Sequence, residues 1–284
     1  MTQQDPWTSF WREAQPHGCT TGFPPAAQAL LADRWRQLFA AAPRPVLDIA
    51  CGRGALWHHA GTPTHDWLGI DLATIIAAPF PFQSGLDAAA LPFPDKAFAL
   101  VVSQFGLEYA GLPAAIAEAA RVCNARLVAL VHATEGAPCE QAREQLAQID
   151  WLEAQALAPR LHRHFSNATE TTAADIDALL AAIVARADED ANNSLLEAVW
   201  RGTMATQQDP HGPTSAVDAL AAGLAGHRVR LAAMLAAAPD AAATQAAADQ
   251  LHTSGFSARI EDASLAADTG TLLIGRWLIA DRIK

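Results

Sequence analysis

The stretch Pro45-Val46-Leu47-Asp48-Ile49-Ala50-Cys51-Gly52-Arg53-Gly54 decides how the rest of this chain is read. Val46, Leu47 and Ile49 form a short apolar run that suits a strand buried on both faces. Ala50, Gly52 and Gly54 are small, so the backbone beyond the strand can turn sharply and come close to a ligand. The pattern predicts a strand that ends in a binding loop. Residues 54–60 are then expected to open a helix whose free N–H groups favour a carboxylate or another anion.

Working outward, strand-like runs recur at 66–70, 80–84, 97–103 and 126–132, with helices expected between them, notably over 112–122. Strand and helix in alternation predict a parallel sheet covered on both sides. The tail reads as strand, turn, strand: 256–262, the turn signal Asp268-Thr269-Gly270, and 271–280. Upstream, Pro24 and Pro25 suit the first turn of a helix running to about residue 42, with Leu30, Leu31, Trp35, Leu38 and Phe39 along one face.

The loop, GIDLA at 69–73 and LDAAALPF at 86–93 together resemble the class I (nucleotide-fold) S-adenosylmethionine-dependent methyltransferases. The resemblance covers residues 43–135 and, more loosely, the last thirty or so. It implies an α/β, doubly wound, mostly parallel seven-stranded sheet with an antiparallel C-terminal hairpin strand, here with a helical insertion. It divides the chain into an N-terminal helical cap segment (1–44), a cofactor-binding core (45–135 and 240–284) and the insertion (136–239). The resemblance also implies S-adenosyl-L-methionine as cofactor.

Site residues follow position by position. Asp48 is acidic where the methionine amino group would lie, and a buried carboxylate needs such a partner. Ala50, Cys51, Gly52 and Gly54 form the cofactor-binding loop, and the N–H groups after Gly52 would meet the cofactor carboxylate. Asp71, nineteen residues past Gly52, would accept the ribose hydroxyls, as the corresponding acid does in dinucleotide folds. Ile70 and Leu72 would offer apolar surface to the adenine, and Asp87 with Ala88 would meet its amine and ring nitrogen. Ser103, Gln104, Phe105 and Glu108 would line the methyl-bearing end. Each acid taken singly also fits a helix cap. Two departures stand out: Ala50 replaces the first glycine of the family loop, and Cys123-Asn124-Ala125-Arg126 replaces the usual proline-glycine-glycine turn.

Composition narrows the partners. The chain has 284 residues, 51% hydrophobic and 17% charged, enough for a full core. Its formal net charge of -11 disfavours nucleic acid as a partner. The four cysteines, Cys19, Cys51, Cys123 and Cys139, form no metal or redox pair and suit a reducing cytoplasm. Neither a signal peptide nor a membrane span is predicted, and the partners expected of the methyltransferase resemblance are a small-molecule acceptor and a possible homodimer.

Methyl transfer needs a base only when the acceptor is protonated. His132 is the first candidate, with Glu108 and Tyr109 next; His132 is equally readable as structural. Trp7, Phe10 and Trp11, followed by His17, Gly18 and Cys19, read either as packing or as a lid. The region 136–239 is helix-forming at 140–161, 173–187, 194–206 and 215–237, and reads as a substrate cap or a dimerisation element. Its arginines, Arg143, Arg160, Arg163, Arg201, Arg228 and Arg230, suit a small acidic or amphipathic acceptor or a solvated surface. His162 and His164 lack a third metal ligand. Two rivals stay open: a non-catalytic or regulatory protein that keeps the cofactor fold, and an NAD-dependent oxidoreductase, which the loop imitates poorly.

Overall fold

The computed structural model describes residues 4–13, 18–20, 22–62, 65–190, 192–209, 211–267 and 270–284. Among the described residues ten α-helices and seven strands run in the order α1 (Gln4–Glu13), α2 (Pro25–Phe39), β1 (Val46–Ile49), α3 (Ala55–His59), β2 (Trp67–Asp71), β3 (Phe82–Ser84), β4 (Phe98–Gln104), α4 (Leu112–Val122), β5 (Cys123–Val131), α5 (Ala137–Ala154), α6 (Leu157–Ser166), α7 (Glu170–Glu189), α8 (Ser194–Ala205), α9 (Pro213–Ala237), α10 (Ala241–Thr253), β6 (Phe256–Ala267) and β7 (Gly270–Arg282). The chain divides into two compact units, residues 1–140 with 233–284, and residues 141–232.

The first unit is built on one sheet of order β3-β2-β1-β4-β5-β7-β6. Strands β1 to β5 pair in parallel, and β7 runs antiparallel between β5 and β6. Winding reverses between β1 and β4, so the loops at their carboxyl ends diverge and leave a crevice, the usual ligand position in an open α/β sheet. Every residue of β1 and β4 is buried, as expected of central parallel strands.

Side-chain alternation along the strands feeds two cores. Leu47, Ile49, Val101 and Leu127 face Leu112, Ile116, Ala119 and Leu251 of α4 and α10. Val46, Leu100, Val102 and Val128 face Leu31, Trp35, Phe39 and Leu56 of α2 and α3. In α4, the buried residues Leu112, Ala115, Ile116, Ala119 and Val122 recur at helical spacing, so one stripe meets the sheet.

Four local expectations need correction. No helix separates β2 from β3 or β3 from β4 among the described residues, because Pro79 and Pro81, then Pro92 and Pro94, interrupt those connections. Phe80 lies outside the third strand, and its ring instead packs against Gly54 and Gly69. The turn before β5 is dispensed with: Cys123 takes an extended conformation directly after α4, and its thiol bonds the Arg126 carbonyl. The hairpin strands reach further than expected, and residues 268–269 of the turn signal lie outside the described residues.

The second unit is all-helical and has its own core, with Leu152, Leu161, Leu179, Ile183, Leu196 and Val217 at its centre. The helix expected over 140–161 is two helices, because Ala156 adopts a left-handed conformation with φ 54° between α5 and α6. Thr169 caps α7 by accepting from the Thr172 N–H, and the Thr172 hydroxyl accepts in turn from the Thr169 N–H. Among the described residues no helix is long and apolar enough to cross a membrane.

Candidate functional site

The loop after β1 is shaped by three left-handed residues, Ala50 (φ 55°), Gly52 (φ 48°) and Gly54 (φ 92°). Ala50 therefore adopts a conformation that favours glycine, at the position where the family pattern has one. The glycines at 52 and 54 are also required by space: a side chain at Gly54 would overlap the Phe80 ring, and one at Gly52 would overlap the Trp11 indole. The Cys51 N–H is tied to the Ile70 carbonyl at 2.9 Å and the Gly54 N–H to the Cys51 carbonyl at 2.9 Å.

Asp71 joins this loop to the end of β2. One carboxylate oxygen accepts from the Gly52 N–H at 2.9 Å and the other from the Ala73 N–H at 2.8 Å. The Gly52 amide is thus engaged by Asp71, while each Asp71 oxygen keeps a second lone pair. Burial pushes the Asp71 carboxyl up to about 6, against the pull of those two amides. A carboxyl raised from 3.8 stabilises the fold while protonated, and that contribution is lost as pH rises through its folded value. Asp71→Asn cannot ionise. From about pH 4 to pH 7 the unliganded wild type is expected to lose roughly 2–3 kcal/mol relative to that variant. Urea midpoints at the two pH values check this, and a constant gap between the proteins would contradict it.

Asp48 is only 1% exposed, and its Oδ2 has no hydrogen-bond partner among the described residues. Burial, and secondarily the charge of Asp71, hold its carboxyl well above the usual carboxylate range. Leu72 is 40% exposed beside Asp71, but Ile70 is fully buried in the sheet core. Ile70 lies within β2 and packs into the core, whereas Leu72 follows the last residue of the strand, so of the two only Leu72 presents apolar surface there. Asp87 is exposed and accepts from the Ala89 N–H at 2.9 Å, whereas Ala88 is buried. The Leu86 N–H bonds the Asp71 carbonyl at 3.2 Å, which links this loop to β2.

At the end of β4, Gln104 accepts from the Trp35 indole and donates to the Cys19 sulfur at 3.7 Å. Burial pushes the Cys19 thiol up to about 11. Trp35 and Cys19 hold Gln104 from 69 and 85 residues away, and no local pattern announced either contact. A cleft of about 250 Å³ opens beside Gln104, with Thr20, Gln28, Leu31 and His59 on its walls. Phe105 turns with φ 53°, and its N–H bonds the Leu130 carbonyl at 2.7 Å. Ser103 is buried.

Glu108 and His132 meet across the ends of β4 and β5. Glu108 Oε1 accepts from the His132 N–H at 3.0 Å and lies 2.7 Å from His132 Nδ1, and both residues are buried. The Phe105 ring tilts over the imidazole at 4.5 Å between centroids. Tyr109 stands edge-on to His132 at 6.1 Å, and burial raises its phenol well above the ordinary value.

Helix α1 crosses three of these loops. Trp11 lies on Gly52, the Thr8 hydroxyl accepts from the Thr74 N–H at 3.0 Å, and Trp7 packs edge-on to Tyr109 at 5.4 Å. His17 lies outside the described residues.

The sheet thus brings together Asp48, Ala50, Cys51, Gly52, Gly54 and Asp71 on one side of the crevice, and Gln104, Phe105, Glu108 and His132 on the other. His162 and His164 belong to the second unit, where they contact Asp218 at 3.0 Å and Thr172 at 3.2 Å. No group of residues able to hold a metal occurs among the described residues. Arg160, Arg201 and Arg228 are paired with carboxylates of their own unit.

Residues 47–126 match the family described as Methyltransferase domain. No curated protein matches the chain. Among solved structures, magnesium protoporphyrin IX methyltransferase from Synechocystis PCC 6803, determined with bound S-adenosylhomocysteine, is 14% identical, covering 98% of this chain and 94% of that one at a TM-score of 0.44. A possible histamine N-methyltransferase from Thermotoga maritima is 9% identical, with both chains covered in full and a TM-score of 0.47. The 47–126 match lies on the loop and strands that build the crevice, so this segment of the chain is similar to a methyltransferase domain.

Proposed function

We propose that this protein transfers the methyl group of S-adenosylmethionine to a small-molecule acceptor. The observation that carries the reading is Asp48. A carboxylate 1% exposed, with an oxygen that no donor among the described residues meets, costs several kcal/mol unless a ligand supplies one. An amino group fits that need, and the neighbouring groups fit the rest of the cofactor. The spare lone pairs of Asp71 suit ribose hydroxyls. Leu72, Asp87 and Ala88 lie on the adenine side, with Gln104 and Phe105 toward the methyl end.

When bound, the cofactor supplies an already activated methyl carbon, so the protein's task is alignment and removal of a proton. The bond from His132 Nδ1 to Glu108 leaves Nε2 as the basic nitrogen. With an acceptor in hand, His132→Ala is expected to slow turnover roughly 10²–10⁴-fold, while affinity for S-adenosylhomocysteine stays unchanged.

Titration calorimetry tests the reading. S-adenosylhomocysteine should bind with one-to-one stoichiometry, and NADH should give no heat and no change in fluorescence. Binding of NADH with indifference to S-adenosylhomocysteine would sink the proposal.

A further inference from the structure

A second buried carboxylate oxygen is left over once the cofactor is assigned. Glu108 is 2% exposed; Oε1 is saturated by the two N–H groups of His132, and Oε2 has no partner among the described residues. Neither Glu108 nor Asp48 is paired with an Arg or Lys there. Gly106, two residues before Glu108, packs against Ala50, two residues after Asp48, so the two acids border one neighbourhood. Asp48 takes the cofactor amino group under the reading above. A sulfonium carries positive charge but no N–H, so it cannot satisfy Glu108 Oε2.

The surroundings of Glu108 are aromatic. Trp7 meets Tyr109 edge-on at 5.4 Å, Tyr109 meets His132 at 6.1 Å, and Phe105 covers His132 at 4.5 Å. Ring faces and a buried carboxylate are the two features that favour an organic cation with an N–H to donate. Of the arginines that would have suited an acidic acceptor, Arg160, Arg201 and Arg228 are paired with carboxylates of the second unit.

We infer that the acceptor is a protonated arylalkyl amine, its ammonium bound to Glu108 Oε2 and its ring against Trp7, Phe105 and Tyr109. The inference rests on the methyltransferase reading. The groups around the ammonium are Cys19, Asp48, Tyr109 and His132, with Glu108 itself. The ammonium gives one proton to His132 Nε2, from which it passes to solvent. The freed nitrogen lone pair forms the new N–C bond, and the electron pair of the broken S–C bond stays on sulfur. Positive charge thus moves from sulfur to nitrogen, and the methylated ammonium is again a cation that Glu108 can hold.

The test uses the full chain saturated with S-adenosylhomocysteine, titrated with phenethylamine and with 2-phenylethanol, then with tryptamine and with tryptophol. In at least one pair the amine should bind about tenfold or more tightly than the isosteric alcohol. Glu108→Gln, checked for folding by circular dichroism and again saturated with S-adenosylhomocysteine, should remove that preference. Equal binding of amine and alcohol in both pairs, or no binding of either amine, overturns the inference. An amine preference that survives in Glu108→Gln overturns it too. The wild-type comparison decides the matter even if the variant fails to fold. Failure of S-adenosylhomocysteine itself to bind would instead remove the methyltransferase reading, and the amine with it.

Discussion

Asp71→Ala is expected to weaken S-adenosylhomocysteine binding by about a hundredfold or more, since two hydrogen bonds to a charged acceptor contribute about 1.5–3 kcal/mol each. The structure adds a second reason. Asp71 also holds the Gly52 and Ala73 amides, so the variant loses both the ribose acceptor and the strut that shapes the loop after β1. Two amides left without partners should lower stability, while relief of a buried carboxyl pushed up to about 6 acts the other way. The affinity loss is therefore expected to exceed the loss of stability. Calorimetry on the variant, paired with a thermal melt, checks both. Unchanged affinity would remove Asp71 from the cofactor site.

The second large effect comes from one methyl group. A Cβ at Gly106 would collide with the Cβ of Ala50, the point where the loops after β1 and β4 touch. Gly106 has an ordinary φ of −146°, so the penalty in Gly106→Ala is steric rather than conformational. Overpacking of this kind costs about 1–3 kcal/mol, and it forces apart the two loops that flank the crevice. A fall in melting temperature of several degrees and a marked loss of S-adenosylhomocysteine affinity are expected. The double variant Gly106→Ala with Ala50→Gly should recover most of both. Removing the Ala50 Cβ leaves contacts of 3.5 Å and more, and glycine suits the φ of 55° at position 50. Absence of recovery would show that the collision with Ala50 is not what Gly106 avoids.

The sheet was legible because its evidence is local. Val46 to Ile49 followed by small residues reads as a buried strand and a loop from ten consecutive positions, and the stripe of α4 reads from eleven. The acids at 48 and 71 were legible for the same reason, since Asp71 closes β2 and Asp48 stands one residue before the end of β1. Other features were hidden. The side to which Ile70 points depends on the pleat and register of β2, which the apolar run does not reveal. The break at Ala156 has no glycine or proline to announce it: an alanine takes the left-handed conformation there.

From its own letters the chain determined a doubly wound sheet, the position of its crevice, and acids at two of the strand ends that border it. Short-range periodicity and backbone sterics suffice for that, because they act between residues a few positions apart. Only the tertiary structure decided that Trp11 lies on Gly52, that Trp35 and Cys19 hold Gln104, and that Glu108 reaches His132 with one oxygen to spare. Those contacts join residues separated by 24 to 85 positions. Close packing of the whole core sets them, and no local pattern carries that information.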